Sequence, residues 1–126
     1  MNIDDLKIQT VLIPLMEYGK GQDFREVGEI MHAKERVTKD TVAVICKARE
    51  NDIIVVEPGK PMISGNTILC HDQEGVFLKM VIIDSDDNRR FVTHPECAHI
   101  ARPLEIFCIF GVATAGIQDM RSRRRG

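Results

Sequence analysis

The chain has 126 residues, 44% of them hydrophobic and 29% charged, with a formal net charge of -2. That length and apolar content predict one domain with one core, and the near-cancellation of charge excludes the positive footprint of a nucleic-acid-binding domain. No apolar run approaches the length of a bilayer span, and four cysteines at irregular spacing (Cys46, Cys70, Cys97, Cys108) without a secretory leader pattern predict a reducing cytoplasm rather than a disulfide framework.

In chain order, "QTVLIPLM" is expected to be an extended segment stopped by Pro14, and "GKGQ" a flexible turn. "DFREVGEIMHAKERV" mixes strand and helix periodicity and assigns itself to neither. From residue 41 onward the pattern is plain. "TVAVIC" (41–46), "DIIVVE" (52–57), "NTILCH" (66–71), "VFLKMVII" (76–83), "RFVTH" (90–94) and "EIFCIFGVATAGI" (105–117) are short β-type runs, the last pairing against the core. Between them lie "ARE", "PGKPMISG", "DQEG" and "DSDDNR", whose Gly, Pro, Asp and Asn set turns. The expected fold class is mainly β: a mainly antiparallel sheet with little helix, and the run bearing Lys79 central in it.

Lys79 is the one charge within "GVFLKMVII". Strand alternation puts it on a face with Phe77, Val81 and Ile83, in a partly dry environment. A desolvated lysine can act as a general base for a hydroxyl, whereas a lysine in a structural role keeps its stem packed and carries its ammonium toward water. The remaining chemistry-bearing groups have plain structural readings. His94, Cys97 and His99, with Cys70 and His71, match no common zinc spacing, so no metal or other cofactor is expected. Asp84, Asp86 and Asp87 lack the spacing of a calcium loop and suit a solvated hairpin tip. Arg121, Arg123, Arg124 and Arg125 form a basic, flexible tail.

The arrangement "RENDIIVVEPGKPMISGNTILCHDQEGVFLKMVII", a strand, a turn, a strand, a tight turn and a lysine-bearing strand, resembles the catalytic domain of LexA-type self-cleaving repressors and the related UmuD proteins. "VLIPLMEYGKGQ" is similar to the start of that family's cleavage segment, "RFVTHPECAHIARPL" to its following strand and loop, and "EIFCIFGVATAGI" to its final strand. The resemblance spans residues 13–118, leaving 1–12 as an N-terminal extension and 119–126 as the tail. It implies a bent β domain that dimerises, and it aligns Lys79 with the catalytic lysine.

The departures decide what the resemblance implies about function. The family's serine loop falls where this chain has only "KAREN", and Ser64, Ser85 and Ser122 lie elsewhere; the scissile Ala-Gly pair is replaced by "YGKGQ". A lysine base needs a hydroxyl within reach. Lys79 is therefore expected to be a relic of catalysis and the protein no enzyme. Cys46, at the end of the strand leading into the lost loop, is the alternative nucleophile, with buried packing the preferred account of it. With about a dozen residues ahead of the resembling region, no helix-turn-helix and no sequence-specific DNA binding are expected.

The leading expectation is a cytoplasmic, non-catalytic binding protein that associates with itself and with a regulatory or polymerase protein. It would regulate a repressor or a DNA-damage (SOS or prophage) response, as an antirepressor does. A UmuD-like accessory subunit of an error-prone polymerase comes second, and a degenerate self-cleaving protease third. The expected homodimer surface is Ile106, Phe107, Cys108, Ile109, Phe110 and Val112, since the final run carries more apolar surface than one sheet face needs. No membrane contact is expected.

Overall fold

The computed structural model describes residues 9–19, 23–46, 52–97 and 107–117. These form a mainly β structure of eight strands in one sheet: β1 (Thr10–Tyr18), β2 (Phe24–Ala33), β3 (Val42–Cys46), β4 (Asp52–Glu57), β5 (Thr67–Asp72), β6 (Gly75–Ile83), β7 (Arg89–Thr93) and β8 (Cys108–Ile117). The only helical pieces among the described residues are short 3-10 turns at Lys34–Arg36 and Pro95–Cys97. The sheet order is β2-β1-β3-β4-β8-β5-β6-β7. All neighbouring pairs are antiparallel except β1 and β3, which run parallel through Leu15 opposite Ala43 and Met16 opposite Val44.

One expectation is corrected by this order. The strand bearing Lys79, β6, is not central but second from the edge, flanked by β5 and β7. The centre is taken by β8, between β4 and β5, because its Gly- and Ala-rich sequence lets two ladders close on it; it begins at Cys108, while Glu105 and Ile106 lie outside the described residues.

Pro14 does not stop β1. Gln9 accepts a hydrogen bond from the Lys34 amide at 2.8 Å, and bonded pairs alternate along an antiparallel ladder, so Val11, Ile13 and Leu15 fall at bonded positions and Pro14 between them. Its missing N–H faces away from β2, toward β3, where pairing begins only at Leu15. The strand passes through the proline at no cost in ladder bonds.

Register shifts at Leu15/Met16 in β1–β2, at Val55/Val56 in β4–β8 and at Leu69/Cys70 in β5–β8 bend the sheet, as bulges do. The bend brings β1 back onto β5, where the Tyr18 hydroxyl donates to the Asp72 carbonyl at 3.0 Å across 54 residues of sequence. The larger core cluster, with Val44, Ile54, Val56, Ile68, Leu69, Phe77, Leu78, Val81 and Val112, fills the bend. A smaller cluster of Ile13, Ala43 and Val55 packs with Leu15, Ile30, Ile53 and Ile117. At the β6–β7 hairpin the Asp84 carboxylate accepts from the amides of Asp86 (2.9 Å) and Asn88 (3.0 Å), and Asp87 adopts φ 63°, so the acidic run is a hairpin tip.

Candidate functional site

Lys79 is 4% exposed, drier than the sequence pattern implies. It lies opposite Ile68 on β5 and Thr93 on β7. Its Nζ stands 5.2 Å from the ring centre of Phe107 and 6.0 Å from that of Phe77. Phe107 in turn meets Phe77 edge-on at 6.0 Å and Phe91 at 5.6 Å, so three phenylalanines build one wall around the ammonium. Ring faces attract a cation through their quadrupole, which offsets part of the cost of taking it from water.

The Lys79 charge also reaches a thiol. Burial pushes the Cys70 thiol up to about 12; the Lys79 charge acts against that shift and Cys97 with it. Cys70 therefore stays protonated at neutral pH despite the ammonium, and a protonated thiol is a poor nucleophile. Cys97, 1% exposed, accepts from the Leu78 amide at 3.4 Å, and the His94 amide donates to the Leu78 carbonyl at 3.4 Å. The chain after β7 thus covers the edge of β6 that β7 leaves open.

Neither described serine stands near Lys79 along β6. The Ser64 hydroxyl accepts from the Ile83 amide at 2.9 Å, four residues and roughly 13 Å along the strand from Lys79, and Ser85 sits beyond it in the hairpin tip. Ser122 and the rest of the basic tail lie outside the described residues, as do Lys20–Gln22 and the segment Lys47–Asn51 that replaces the serine loop. Cys46 is fully buried in the core on β3, with β4, β8 and β5 between it and β6 in the sheet.

The zinc candidates are dispersed. Cys70 and Cys97 are buried beside β6, and His94 lines a ≈ 390 Å³ cleft with Ile54, Thr67, Leu78 and Thr114. His71 belongs to a separate cluster, and His99 lies outside the described residues. Among the described residues no three His, Cys, Asp or Glu side chains come together to hold a metal ion. Of the expected dimer surface, Cys108 and Ile109 are exposed, Phe107 and Phe110 half-buried, and Val112 buried in the chain's own core; Ile106 lies outside the described residues. Both edges of β8 are paired, so only its faces are open to further contact.

Sequence reasoning missed a second cluster, formed by Tyr18, Phe24, His71 and Phe110. Phe24 lies 4.9 Å from Tyr18, 4.2 Å from Phe110 and, edge-on, 5.1 Å from His71, while the Tyr18 and His71 rings stand 5.1 Å apart. His71 Nδ1 is 3.4 Å from the Tyr18 hydroxyl. Burial lowers the His71 pKa, with Asp72 opposing; burial raises that of Tyr18, helped by the charges of Asp72, Cys108 and Asp23. No local signal announces this cluster, since its members come from β1, β2, β5 and β8.

The sequence matches no protein-family model, and no curated protein matches it.

Proposed function

We propose that the protein is a cytoplasmic, non-catalytic binding protein of LexA-like type that acts by association, with itself and with a regulatory protein, in control of a repressor or DNA-damage response. The observation that carries this reading is the setting of Lys79: its amine is packed against Phe107 and Phe77 and beside a thiol held protonated, with Ser64 engaged at the far end of β6. A lysine base works only on a hydroxyl or thiol that can lose its proton to it. Cys70 resists that loss, because burial pushes its thiol up to about 12.

Surfaces suited to association accompany that setting. Leu12 (61% exposed) and Met31 (64%) face each other across the β1–β2 hairpin, and Val27 lies on the same edge strand. Exposed apolar groups of this kind, grouped on one element, are a feature of interaction surfaces. Among the described residues no helix is long and apolar enough to cross a membrane.

The test is capture by tagged protein in the native host with mass spectrometric identification. Recovery of a repressor or SOS regulator, equally by wild type and Lys79→Met, is expected. Recovery of an error-prone polymerase instead would replace this reading with that of a UmuD-like accessory subunit.

A further inference from the structure

We propose that Cys108, His71 and Tyr18 form a reactive-thiol site in which His71 accepts the Cys108 proton and the resulting thiolate exchanges with a small disulfide such as glutathione disulfide. The three residues come from three strands. Cys108, the first residue of β8, pairs directly with His71 of β5, and residues directly opposite in an antiparallel pair hold their Cβ atoms about 4.5–5.5 Å apart on one face. Phe110, the unpaired residue at the β8 bulge, packs on Phe24, whose ring meets His71 edge-on. Cys108 thus stands at the open rim of the aromatic cluster. Of the chain's four cysteines it is the exposed one, while Cys46, Cys70 and Cys97 are buried.

The hydrogen bonds select the tautomer that the chemistry needs. A phenol has one proton, and Tyr18 directs it to the Asp72 carbonyl at 3.0 Å. In its 3.4 Å contact with His71 Nδ1 the phenol oxygen can then only accept, so Nδ1 carries the hydrogen and Nε2 holds the free lone pair. The titratable groups around this imidazole are Tyr18 of β1, Asp72 of its own strand and Cys108 of β8; Asp23, just before β2, acts on Tyr18. Burial keeps the imidazole neutral at neutral pH, as a base must be.

In the step itself, Nε2 takes the proton from Cys108 Sγ and the thiolate attacks one sulfur of the disulfide. A new Sγ–S bond forms and the original S–S bond breaks. The departing half leaves as a thiolate and recovers the proton from the imidazolium, so one disulfide replaces another and one thiol replaces another. Tyr18 is a positioning residue here, holding the imidazole by its Nδ1–H.

The experiment follows, by mass spectrometry, modification of the native protein at low micromolar concentration by iodoacetamide and by glutathione disulfide, between about pH 6 and 8. One adduct per chain is expected, absent in Cys108→Ser. The wild-type alkylation rate should level off between the His71 pKa, which lies below 6.5, and about pH 8, because base-assisted attack depends on neutral imidazole and not on pre-formed thiolate. In His71→Gln the rate at pH 7 should fall by about tenfold, less than in closed active sites because this one is open to water, and should then rise tenfold per pH unit. A wild-type rate that rises tenfold per pH unit throughout, or an unchanged rate in His71→Gln, overturns the proposal. Should His71→Gln fail to fold, the wild-type pH profile decides by itself.

Discussion

Lys79 and Tyr18 show how burial sets the chemistry of single side chains in this sheet. The ammonium at position 79 is nearly sealed from water, with Phe107 and Phe77 as neighbours. Methionine has similar length, fills the same volume and needs no hydration, so loss of the ring contacts and the gain from not burying a charge act in opposite directions. Lys79→Met should fold with stability within about 1–2 kcal/mol of wild type in urea denaturation; a loss well beyond that would assign the lysine a structural role that ring contacts do not explain. Tyr18 gives a second reading of burial. It is the only tyrosine in a chain without tryptophan, so ultraviolet titration of tyrosinate reports it alone. Desolvation, aided by Asp72, Cys108 and Asp23, raises its pKa above 10.0, and the midpoint should lie correspondingly higher. The sign for stability follows. The Tyr18 contribution is fully present below 10.0 and is lost as pH rises through the folded pKa, because the unfolded chain releases its proton first. A midpoint at or below 10.0 would mean that the cluster around Tyr18 is open to water.

At the scale of elements, the bends of β8 explain both the fold and the limits of what the sequence tells. Gly111 sits between β4 and β5 where a Cβ would stand 2.6 Å from the Pro58 Cα and 2.8 Å from the Glu57 carbonyl oxygen. These are backbone atoms that cannot swing aside, so Gly111→Ala should cost about 3 kcal/mol in denaturant unfolding. An unaltered midpoint would show that β8 does not cross the end of β4 this closely. The same carbonyl belongs to Glu57, whose buried carboxylate accepts from Thr38 at 2.8 Å and from Thr41, fastening the segment between β2 and β3 to the end of β4. From β3 to β8 the strands were legible, because "TVAVIC", "DIIVVE" and "VFLKMVII" are apolar, β-branched and separated by turn residues. β1 and β2 were not. Pro14 is a strand breaker by type and harmless by register, and β2 leaves apolar Val27 and Met31 exposed along with Arg25, Glu26 and Glu29, with a register shift between Gly28 and Glu26, which erases the alternation that would have marked it. Lys79 was legible as a charge in an apolar run. Its phenylalanine wall and the Tyr18–His71 contact were not, since each depends on strands brought together by bulges that leave no local sequence mark.

At the scale of the whole molecule, the proposed association would use apolar groups that the sheet leaves exposed. Ile109 lies exposed on one face of β8, and the β1–β2 hairpin presents Leu12 and Met31. A symmetric dimer through the β8 face should therefore appear in sedimentation at high micromolar concentration and weaken in Ile109→Glu, which places a charge where apolar area would be buried; monomer alone at that concentration would contradict it. The claim on which the functional reading rests is that Lys79 no longer cleaves the chain. Its direct test is incubation of purified wild type and Lys79→Met at about pH 9 to 10, alkaline enough to favour catalysis by an amine base, followed by intact-mass measurement. Both proteins should remain whole. Discrete fragments from a cut within Gly19 to Gly21, formed by wild type and not by Lys79→Met, would show a working protease in place of a binding protein.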